Sequence, residues 1–345
     1  MDIVVMKFGG TSVRNEDMRN HLFKHVRREV AAGYKVVVIV SAMGRAGEPY
    51  ATDTLKNLIK NHTSKKEMDR LLGCGEIISS IVMSDMIQGN GLKSTSVSPQ
   101  ELGIRTDDSY TNANIRGICT DRLLELFEEY DVLVAPGFVG VAPDGSITTL
   151  GRGGSDTSAI AVGSAIGAAF VDIYSDVDGV LTADPKLVRD AKLIKKISYD
   201  NLIALAQRGA KVIHLKAIEL AKQKQVNLRL RGTISENIGT YVVNNMVKTL
   251  SLTTQTGYCR YDFEMTMDHI DFPLLVKQGD GWYGLETDQF YIESFLKAEG
   301  VSFAITENYV KIIWYNYQMD PIEIPFYVEE GKLIETLAFL HYNLV

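Results

Sequence analysis

The sequence predicts an α/β protein with a mainly parallel central sheet between two layers of helices, followed by a smaller α+β module. Strand-like apolar runs alternate with helical patterns from the first residues onward. The runs at 3–8 and 36–40 are almost entirely apolar, which is typical of parallel strands covered on both faces. Near residue 250 the composition changes, and both tryptophans and many of the tyrosines follow. A chain of 345 residues has room for a large domain and a second, smaller one.

The first forty residues predict one βαβ unit. After the strand at 3–8, apolar side chains recur with the spacing of one helix face, and Gly33 then turns the chain into the second strand. Two strands joined through a helix in this way run parallel. The residues on that helix face are Met18, Leu22, Phe23, Val26 and Val30.

The same alternation recurs farther along the chain. One antiparallel hairpin interrupts it, because Pro143, Asp144 and Gly145 suit a tight turn between two short strands within 137–151. The other predicted elements are a strand at 132–138, a small-residue helix at 155–169, a strand at 170–176, a helix at 202–210 and a closing strand at 226–232.

The predicted domain boundary falls near residues 245–251, which gives domains at 1–247 and 248–345. The second domain has room for about one ferredoxin-like βαββαβ unit. Its predicted elements are a strand within 259–267, a helix near 290–300, a strand at 309–315 and a final helix from 332.

Composition and charge argue against several classes of protein. The formal net charge of −7 disfavours a protein that binds nucleic acid by neutralising phosphates. The cysteines, Cys74, Cys119 and Cys259, are too scattered for a disulfide framework or a zinc site, which predicts reduced thiols. No signal-like segment opens the sequence, and no apolar run approaches the roughly 20 residues that a bilayer requires. We therefore expect a cytoplasmic protein without a membrane partner.

A lysine stands where the first strand ends, in the stretch KFGGTSV (7–13). Ligands of α/β proteins bind beyond the carboxyl ends of the strands. Gly9 and Gly10 would let the backbone approach a phosphate closely. The stretch matches neither GxxxxGK[ST] nor GxGxxG. Taken alone, these residues fit both an anion site and a turn with a solvated lysine.

A second glycine cluster, LGRGGSDTSA (150–159), precedes the small-residue helix. Arg152 carries a guanidinium that can grip a carboxylate bidentately, and Ser155 or Asp156 could cap the helix. The alternative is helix capping beside a surface arginine. That alternative does not explain why three glycines occur within four residues.

A third loop, SDVDGVLTADPK (175–186), carries Asp176, Asp178 and Asp184, with a lysine after its proline. It lacks the spacing and the final glutamate of a calcium-binding loop. A ligand-binding loop and a solvated acidic loop both fit these residues.

Together these stretches closely resemble the aspartate kinases of the amino-acid kinase superfamily. The resemblance spans about residues 1–245 and implies the three-layer αβα amino-acid kinase fold. It also implies phosphoryl transfer from ATP to the β-carboxylate of L-aspartate. The matching motifs, in that family's order, are KFGGTSV (7–13), VSAMGRAGEPYATDTL (40–55), GCGEIIS (73–79), LGRGGSDTSA (150–159), SDVDGVLTADPK (175–186) and RGAKVIHLKAIELA (208–221).

The resemblance also implies a role for each matching residue. Lys7 would hold the transferring phosphoryl group, and Asp156 would orient Lys7 and the amino acid. Arg152 would clamp the α-carboxylate of aspartate, and Glu76 would bind its ammonium group. The implied substrate pocket is completed by Ser41, Thr52, Phe138 and Ser155. The implied nucleotide site comprises Lys7, Gly9, Gly10, Ser175, Asp176, Leu181, Lys186, Lys211 and Val212, with Mg²⁺ held mainly by the phosphates.

The sequence departs from that family at several points. The family usually has arginine where Lys186 stands and an aromatic residue or methionine near Leu181, so we expect weaker ATP binding. The tail departs most, because the family usually carries two ACT modules and residues 248–345 have room for one. Inhibition by lysine or threonine is therefore doubtful. We expect this ACT-like module to form a homodimer or higher homo-oligomer, or to sense another ligand.

Two other functions fit the sequence less well. One is a kinase of the same superfamily for another small amino-acid carboxylate, and Arg152 and Glu76 favour an α-amino acid. The other is a catalytically silent sensor, against which the presence of Lys7 and Asp156 argues.

Phosphoryl transfer to a carboxylate already ionised at pH 7 requires charge neutralisation and no general base.

Overall fold

The computed structural model describes residues 1–60, 62–210, 212–245, 249–263, 274–298, 301–317 and 321–344. The chain forms two compact units. The first comprises Met1–Val180, Leu193–Ala206 and Lys211–Met246, and the second comprises Leu181–Lys192, Gln207–Ala210 and Val247–Val345. Two short segments that precede residue 247 thus pack with the C-terminal part of the chain.

The first unit alternates strands and helices, as predicted. In chain order its elements are β1 (Ile3–Phe8), α1 (Gly10–Val13), α2 (Glu16–Ala31), β2 (Lys35–Val40), α3 (Thr52–Lys56), α4 (Lys65–Gly89), β3 (Ser94–Ser96), α5 (Pro99–Leu102), β4 (Ile104–Thr106), β5 (Ile115–Ile118), α6 (Asp121–Leu126), β6 (Val132–Pro136), β7 (Val139–Val141), β8 (Ile147–Thr149), α7 (Gly154–Ala165), β9 (Phe170–Ser175), β10 (Lys196–Ser198), α8 (Tyr199–Gln207), α9 (Leu215–Gln223), β11 (Leu228–Gly232) and β12 (Thr240–Val243).

The central sheet has the strand order β10–β12–β11–β9–β1–β2–β6–β3. Every neighbouring pair runs parallel except β11 and β12. The predicted mainly parallel sheet is therefore confirmed. In the register of β1, Lys7 pairs with Ile39 of β2 on one side and with Ile173 of β9 on the other. Lys7 thus stands near the carboxyl end of a central strand.

Helices cover both faces of this sheet, which confirms the three-layer arrangement. Val4, Met6 and Phe8 share a core with side chains of α2 and α4. Because side chains alternate along a strand, Val5 and Lys7 point to the opposite face. There α7 packs on β1 and β9, and a side chain at Gly163 would collide with Val171. The absence of that side chain lets the helix lie close to the sheet.

A smaller sheet, in the order β5–β4–β7–β8, contains the predicted hairpin. The turn includes Gly145 at φ +83°, a conformation that favours glycine. Asp69 of α4 is fully buried, and its carboxylate accepts hydrogen bonds from the backbone N–H groups of Thr111 and Thr149 at 2.9 and 2.8 Å. This carboxylate fastens the hairpin to α4.

Helix α4 spans 25 residues and is long and apolar enough, by length and composition, to cross a membrane. Half of its apolar window is buried inside the protein. Its buried face also carries Asp69 and Glu76, so α4 has the pattern of a core helix.

A buried ionic cluster, formed by Glu29, Asp172, Arg229 and Arg231, lies between α2, β9 and β11. Arg229 donates to both carboxylate oxygens of Asp172 at 2.5 and 2.8 Å, and Arg231 donates to Asp172 at 3.2 Å. Glu29 lies 3.6 Å from Arg231. Asp172 is fully buried, so the negative charge of its carboxylate must be compensated inside the protein.

The second unit is built on an antiparallel sheet in the order β14–β15–β13–β16–β17. Its described order is βββαββα, which differs from the expected βαββαβ unit. The helices expected near 290–300 and from 332 are confirmed, whereas residues 264–267 of the expected strand lie outside the described residues. The elements are β13 (Thr249–Phe263), β14 (Val276–Gln278), β15 (Gly281–Leu285), α10 (Gln289–Ala298), β16 (Phe303–Tyr317), β17 (Pro321–Glu329) and α11 (Leu333–Leu344).

Strands β13 and β16, of 15 residues each, are long enough to carry two small cores. Leu252 belongs to the core under α11, and Cys259 belongs to the core under α10. The register of β13 and β16 shifts between these positions, near Gly257 and Asn308, both at positive φ. A one-residue bulge reverses the alternation of side chains along a strand. For this reason Leu252, at an even position, can face α11 while Cys259, at an odd position, faces α10.

Candidate active site

The ion pair between Lys7 and Asp156 is the centre of the candidate site. Lys7 Nζ lies 2.6 Å from Asp156 Oδ1, and each side chain is 12% exposed. The backbone N–H of His214 lies 3.5 Å from Asp156 Oδ2. The N-cap of α7 is Gly153, without a side-chain cap. The prediction that Ser155 or Asp156 caps this helix is therefore wrong, because the Asp156 carboxylate is directed at Lys7.

The two glycines after β1 lie beside this ion pair. A Cβ added at Gly10 would stand 2.5 and 2.6 Å from the carbonyl oxygens of Ala42 and Gly44. The Gly10 carbonyl accepts from Gly44 N–H at 3.0 Å. A Cβ at Gly9 would lie 3.6 Å from Lys7 Nζ. Only glycine fits at position 10, and glycine at position 9 leaves the ammonium group uncovered on that side.

Ser41 and Ser155 join the ends of two elements at the same edge of the sheet. Ser41 follows β2, and its hydroxyl donates to Ser155 Oγ in the first turn of α7 at 3.0 Å. Gly137, which follows β6, lies against Ser155. The loops after β1, β2 and β6 and the start of α7 therefore converge.

Phe138 takes a conformation that is rare for a residue with a side chain, at φ +68°. Its N–H donates to the hydroxyl of Ser158 at 3.0 Å, and its ring contacts the position of Gly154. Backbone strain of this kind persists where the surroundings hold it in place. Ser158 was not among the residues predicted from the sequence, although its position one turn after Ser155 on α7 is a usable signal.

Glu76 places a buried carboxyl group against the loop after β2. It is 2% exposed, and burial raises its pKa to about 8 despite a hydrogen bond from the backbone N–H of Ala42. Its Oε2 has no hydrogen-bond partner among the described residues. The group is thus mostly protonated at pH 7 and has one oxygen available for a ligand.

Arg152 and Thr52, which were assigned to the substrate pocket, differ in burial. Arg152 is exposed, and no carboxylate in the described ranges pairs with its guanidinium. Thr52 is partly buried at the start of α3. Neither makes a described hydrogen bond to the Lys7–Asp156 pair, so their assignment to the substrate pocket remains a prediction.

The described residues assigned to the nucleotide belong to both units of the chain. Ser175 ends β9, and its carbonyl accepts from Thr233 N–H at 2.9 Å. Asp176 pairs with Arg45 at 3.2 Å, although both side chains are largely exposed. Val212 belongs to the first unit, and Leu181 and Lys186 belong to the second. Lys211 lies outside the described residues.

Ser12 and Thr233 form a contact that the sequence did not indicate. Their hydroxyl oxygens lie 2.7 Å apart, which joins the helical turn after Gly9 and Gly10 to the loop after β11. Thr233 Oγ1 also lies 3.0 Å from the Ser175 carbonyl. Since these residues are separated by most of the first unit's sequence, no local pattern could predict the pair.

Chemically, this edge of the sheet can hold two kinds of charge. The ammonium of Lys7 beside a glycine-lined backbone suits an anion such as a phosphoryl group. The free guanidinium of Arg152 suits a carboxylate, and the unpartnered oxygen of Glu76 suits a hydrogen-bond donor such as an ammonium.

Comparison with known proteins assigns the chain to a family. The family model described as "Amino acid kinase family" matches residues 2–232. Aspartokinase 1 of Bacillus subtilis is 45% identical over 248 residues, which cover 71% of this chain and 61% of that protein. Aspartokinase of Helicobacter pylori is 41% identical over 244 residues, or 70% and 59% of the two chains. The match thus spans about three fifths of these relatives.

The whole chain also shares its fold with solved structures. The structure of E. coli aspartokinase III in complex with lysine and aspartate has a TM-score of 0.73 at 20% identity and covers all of both chains. The aspartate kinase of Clostridium acetobutylicum has a TM-score of 0.73 at 18% identity, covering 99% of this chain and 100% of that one. The family match across the first unit and this common fold lead to one conclusion: the chain belongs to the amino acid kinase family.

Proposed function

We propose that the protein is an ATP-dependent aspartate kinase that converts L-aspartate to 4-phospho-L-aspartate, the first step of lysine, threonine, methionine and diaminopimelate biosynthesis. The observation that carries the proposal is the 2.6 Å pair of Lys7 and Asp156 at the carboxyl end of β1. The aspartokinases that match about 70% of the chain support the choice of substrate. Residues 1–247 would form the catalytic domain.

In the proposed reaction, a β-carboxylate oxygen of aspartate attacks the γ-phosphorus, and the bond to the ADP oxygen breaks. Lys7 neutralises charge on the transferring group, and Asp156 keeps its ammonium in position. Arg152 holds the α-carboxylate, and Glu76 accepts from the α-ammonium. Ser41, Thr52, Phe138 and Ser155 would complete this pocket. Mg²⁺, carried mainly by the phosphates, would supply further positive charge.

The nucleotide would contact Gly9, Gly10, Ser175, Asp176 and Val212, as well as Lys211, Leu181 and Lys186. The open position of Gly9 beside Lys7 fits a phosphate group. For residues 248–345 we propose a single ACT-like module that supports a homodimer or higher homo-oligomer. A cytoplasmic location is part of this proposal.

The test is acyl phosphate formation from ATP and Mg²⁺, trapped with hydroxylamine, across aspartate, glutamate and related acids. Lysine, threonine and methionine serve as candidate inhibitors in parallel. The proposal predicts a strong signal with aspartate. A signal with another acid and none with aspartate would instead assign the site to that amino acid. Silence with every acid, from folded protein, would support a sensor.

A further inference from the structure

A cavity of about 540 Å³ lies between α2 and the loop that follows β11. This volume is typical of sites that hold a small molecule. None of its lining residues belongs to the proposed substrate or nucleotide site. The helix contributes His21, Lys24, Arg27 and Arg28, and the loop contributes Ile234 and Glu236.

Basic side chains are concentrated on the helix side of this cavity. Lys24 lies three and four residues before Arg27 and Arg28, so the three positive charges are neighbours on the helix, an arrangement that disfavours the isolated helix. Arg28 pairs with Glu29 at 2.7 Å. Lys24 and Arg27 make no ion pair in the described part of the chain. Glu236 is the one carboxylate among the described lining residues.

The ionic cluster behind the cavity does not neutralise these charges. Its two guanidinium groups, Arg229 and Arg231, are balanced by the two carboxylates of Asp172 and Glu29, so the cluster has no negative charge left over for Lys24 and Arg27. The protein as a whole is acidic, with a net charge of −7. A local excess of positive charge in such a protein points to an anionic ligand.

The cavity is held in shape by His25, which joins its two sides. His25 Nε2 donates to the carbonyl oxygen of Thr233 at 2.9 Å, which ties α2 to the loop. The His25 ring also lies 4.6 Å from the ring of Tyr174, centre to centre. A preformed cavity of this kind costs little ordering when a ligand binds.

We propose that this cavity is a binding site for a small polyanion that carries two or more negative charges on phosphate or carboxylate groups. Lys24 and Arg27 supply free donors for charge-assisted hydrogen bonds, and Ile234 offers an apolar wall. The site does not depend on the proposed kinase reaction, since none of its residues contacts the Lys7–Asp156 pair.

The test is calorimetric titration of the full chain with inorganic pyrophosphate, without magnesium, and separately with the tricarboxylate tricarballylate. The Lys24→Ala/Arg27→Ala variant removes the two lining cations that make no ion pair in the described part of the chain; Arg27 also lies over the Phe23 ring, 5.8 Å from its centre. The Lys93→Ala/Arg105→Ala variant removes the same charge from exposed positions elsewhere on the first unit. A third variant, Lys7→Met, removes the anion site proposed at the end of β1. Thermal unfolding confirms that each variant is folded.

We expect the Lys24→Ala/Arg27→Ala variant to bind at least one of the two probes at least about tenfold more weakly than the wild type. The Lys93→Ala/Arg105→Ala and Lys7→Met variants should retain that binding event. Binding of pyrophosphate but not tricarballylate would indicate a phosphate ligand. Binding of tricarballylate but not pyrophosphate would indicate a carboxylate ligand. Absence of binding in the wild type, or binding unchanged by the loss of Lys24 and Arg27, would overturn the proposal. A kinase assay that fails would leave this measurement unaffected.

Discussion

Lys7 Nζ and Asp156 Oδ1 lie 2.6 Å apart, although one residue belongs to the first strand of the chain and the other to a helix far along the sequence. The pair forms because Lys7 points to the face of the sheet that α7 covers, and Asp156 lies in the first turn of that helix. A lysine fixed in this way costs little reorganisation when charge develops on a phosphoryl group.

The first prediction concerns Asp156. Asp156→Asn keeps the shape of the side chain but removes the charge that holds Lys7, so we expect kcat to fall about 100-fold or more in a variant that stays folded but is less stable than the wild type. Steady-state kinetics and thermal unfolding measure the two effects. A kcat within a few-fold of wild type would exclude Asp156 as the residue that positions Lys7.

The second prediction concerns Arg152. Arg152→Ala removes a guanidinium without an ion-pair partner in the described structure, so we expect KM for aspartate to rise about 10- to 100-fold while KM for ATP changes little. Arg105→Ala, at another exposed arginine, is the matched control. Weaker ATP binding with unchanged aspartate binding would show that the two pockets are assigned the wrong way round.

The third prediction is a pH dependence from Glu76. Burial raises the pKa of Glu76 to about 8, so the free protein carries a protonated carboxyl at pH 7. Binding an ammonium favours the ionised form and lowers that pKa. Aspartate binding at pH 7 should therefore release a proton, and affinity should rise with pH until about 8 and then level off.

Calorimetry of aspartate binding in buffers of different ionisation enthalpy counts the released protons. Glu76→Gln should bind aspartate more weakly and lose both the proton release and this pH dependence. Proton release that persists in Glu76→Gln would place the titrating group elsewhere.

The sequence was sufficient to predict the layers of the first unit, because buried parallel strands and amphipathic helices leave local patterns. The continuous apolar runs around Val4 and Val38 became neighbouring strands, and the glycines after β1 lie beside Lys7. Local patterns could not predict which side chains meet across the fold. The Ser12–Thr233 contact depends on register and helix placement, and the association of Asp156 with Lys7 was implied by the family resemblance alone.

The second unit was harder to predict for a physical reason. Its strands β13 and β16 are long enough to contribute to two cores. Bulges near Gly257 and Asn308 reverse the alternation of buried and exposed side chains from which strands are predicted. The raised pKa of Glu76 was equally hidden, since burial depends on the folded surroundings and not on neighbouring residues.

The fourth prediction concerns the ionic cluster of Glu29, Asp172, Arg229 and Arg231. Asp172→Asn leaves two buried guanidinium groups without their main counter-charge, so we expect the free energy of unfolding of the first unit to fall by about 3–5 kcal/mol. Urea unfolding measures the change. Asp144→Asn, in the exposed pair with Lys66, is the control and should unfold like the wild type. Equal midpoints for the two variants would contradict a structural role for the cluster.

The proposed mechanism requires Lys7 to meet the phosphoryl group as it moves to aspartate. Its most direct test is the amount of acyl phosphate trapped by hydroxylamine from ATP, Mg²⁺ and aspartate, compared between the wild type and Lys7→Met. We predict product from the wild type and a rate lower by orders of magnitude, on the order of 10³-fold, from a folded Lys7→Met variant. A Lys7→Met rate within a few-fold of wild type would exclude Lys7 from the phosphoryl transfer.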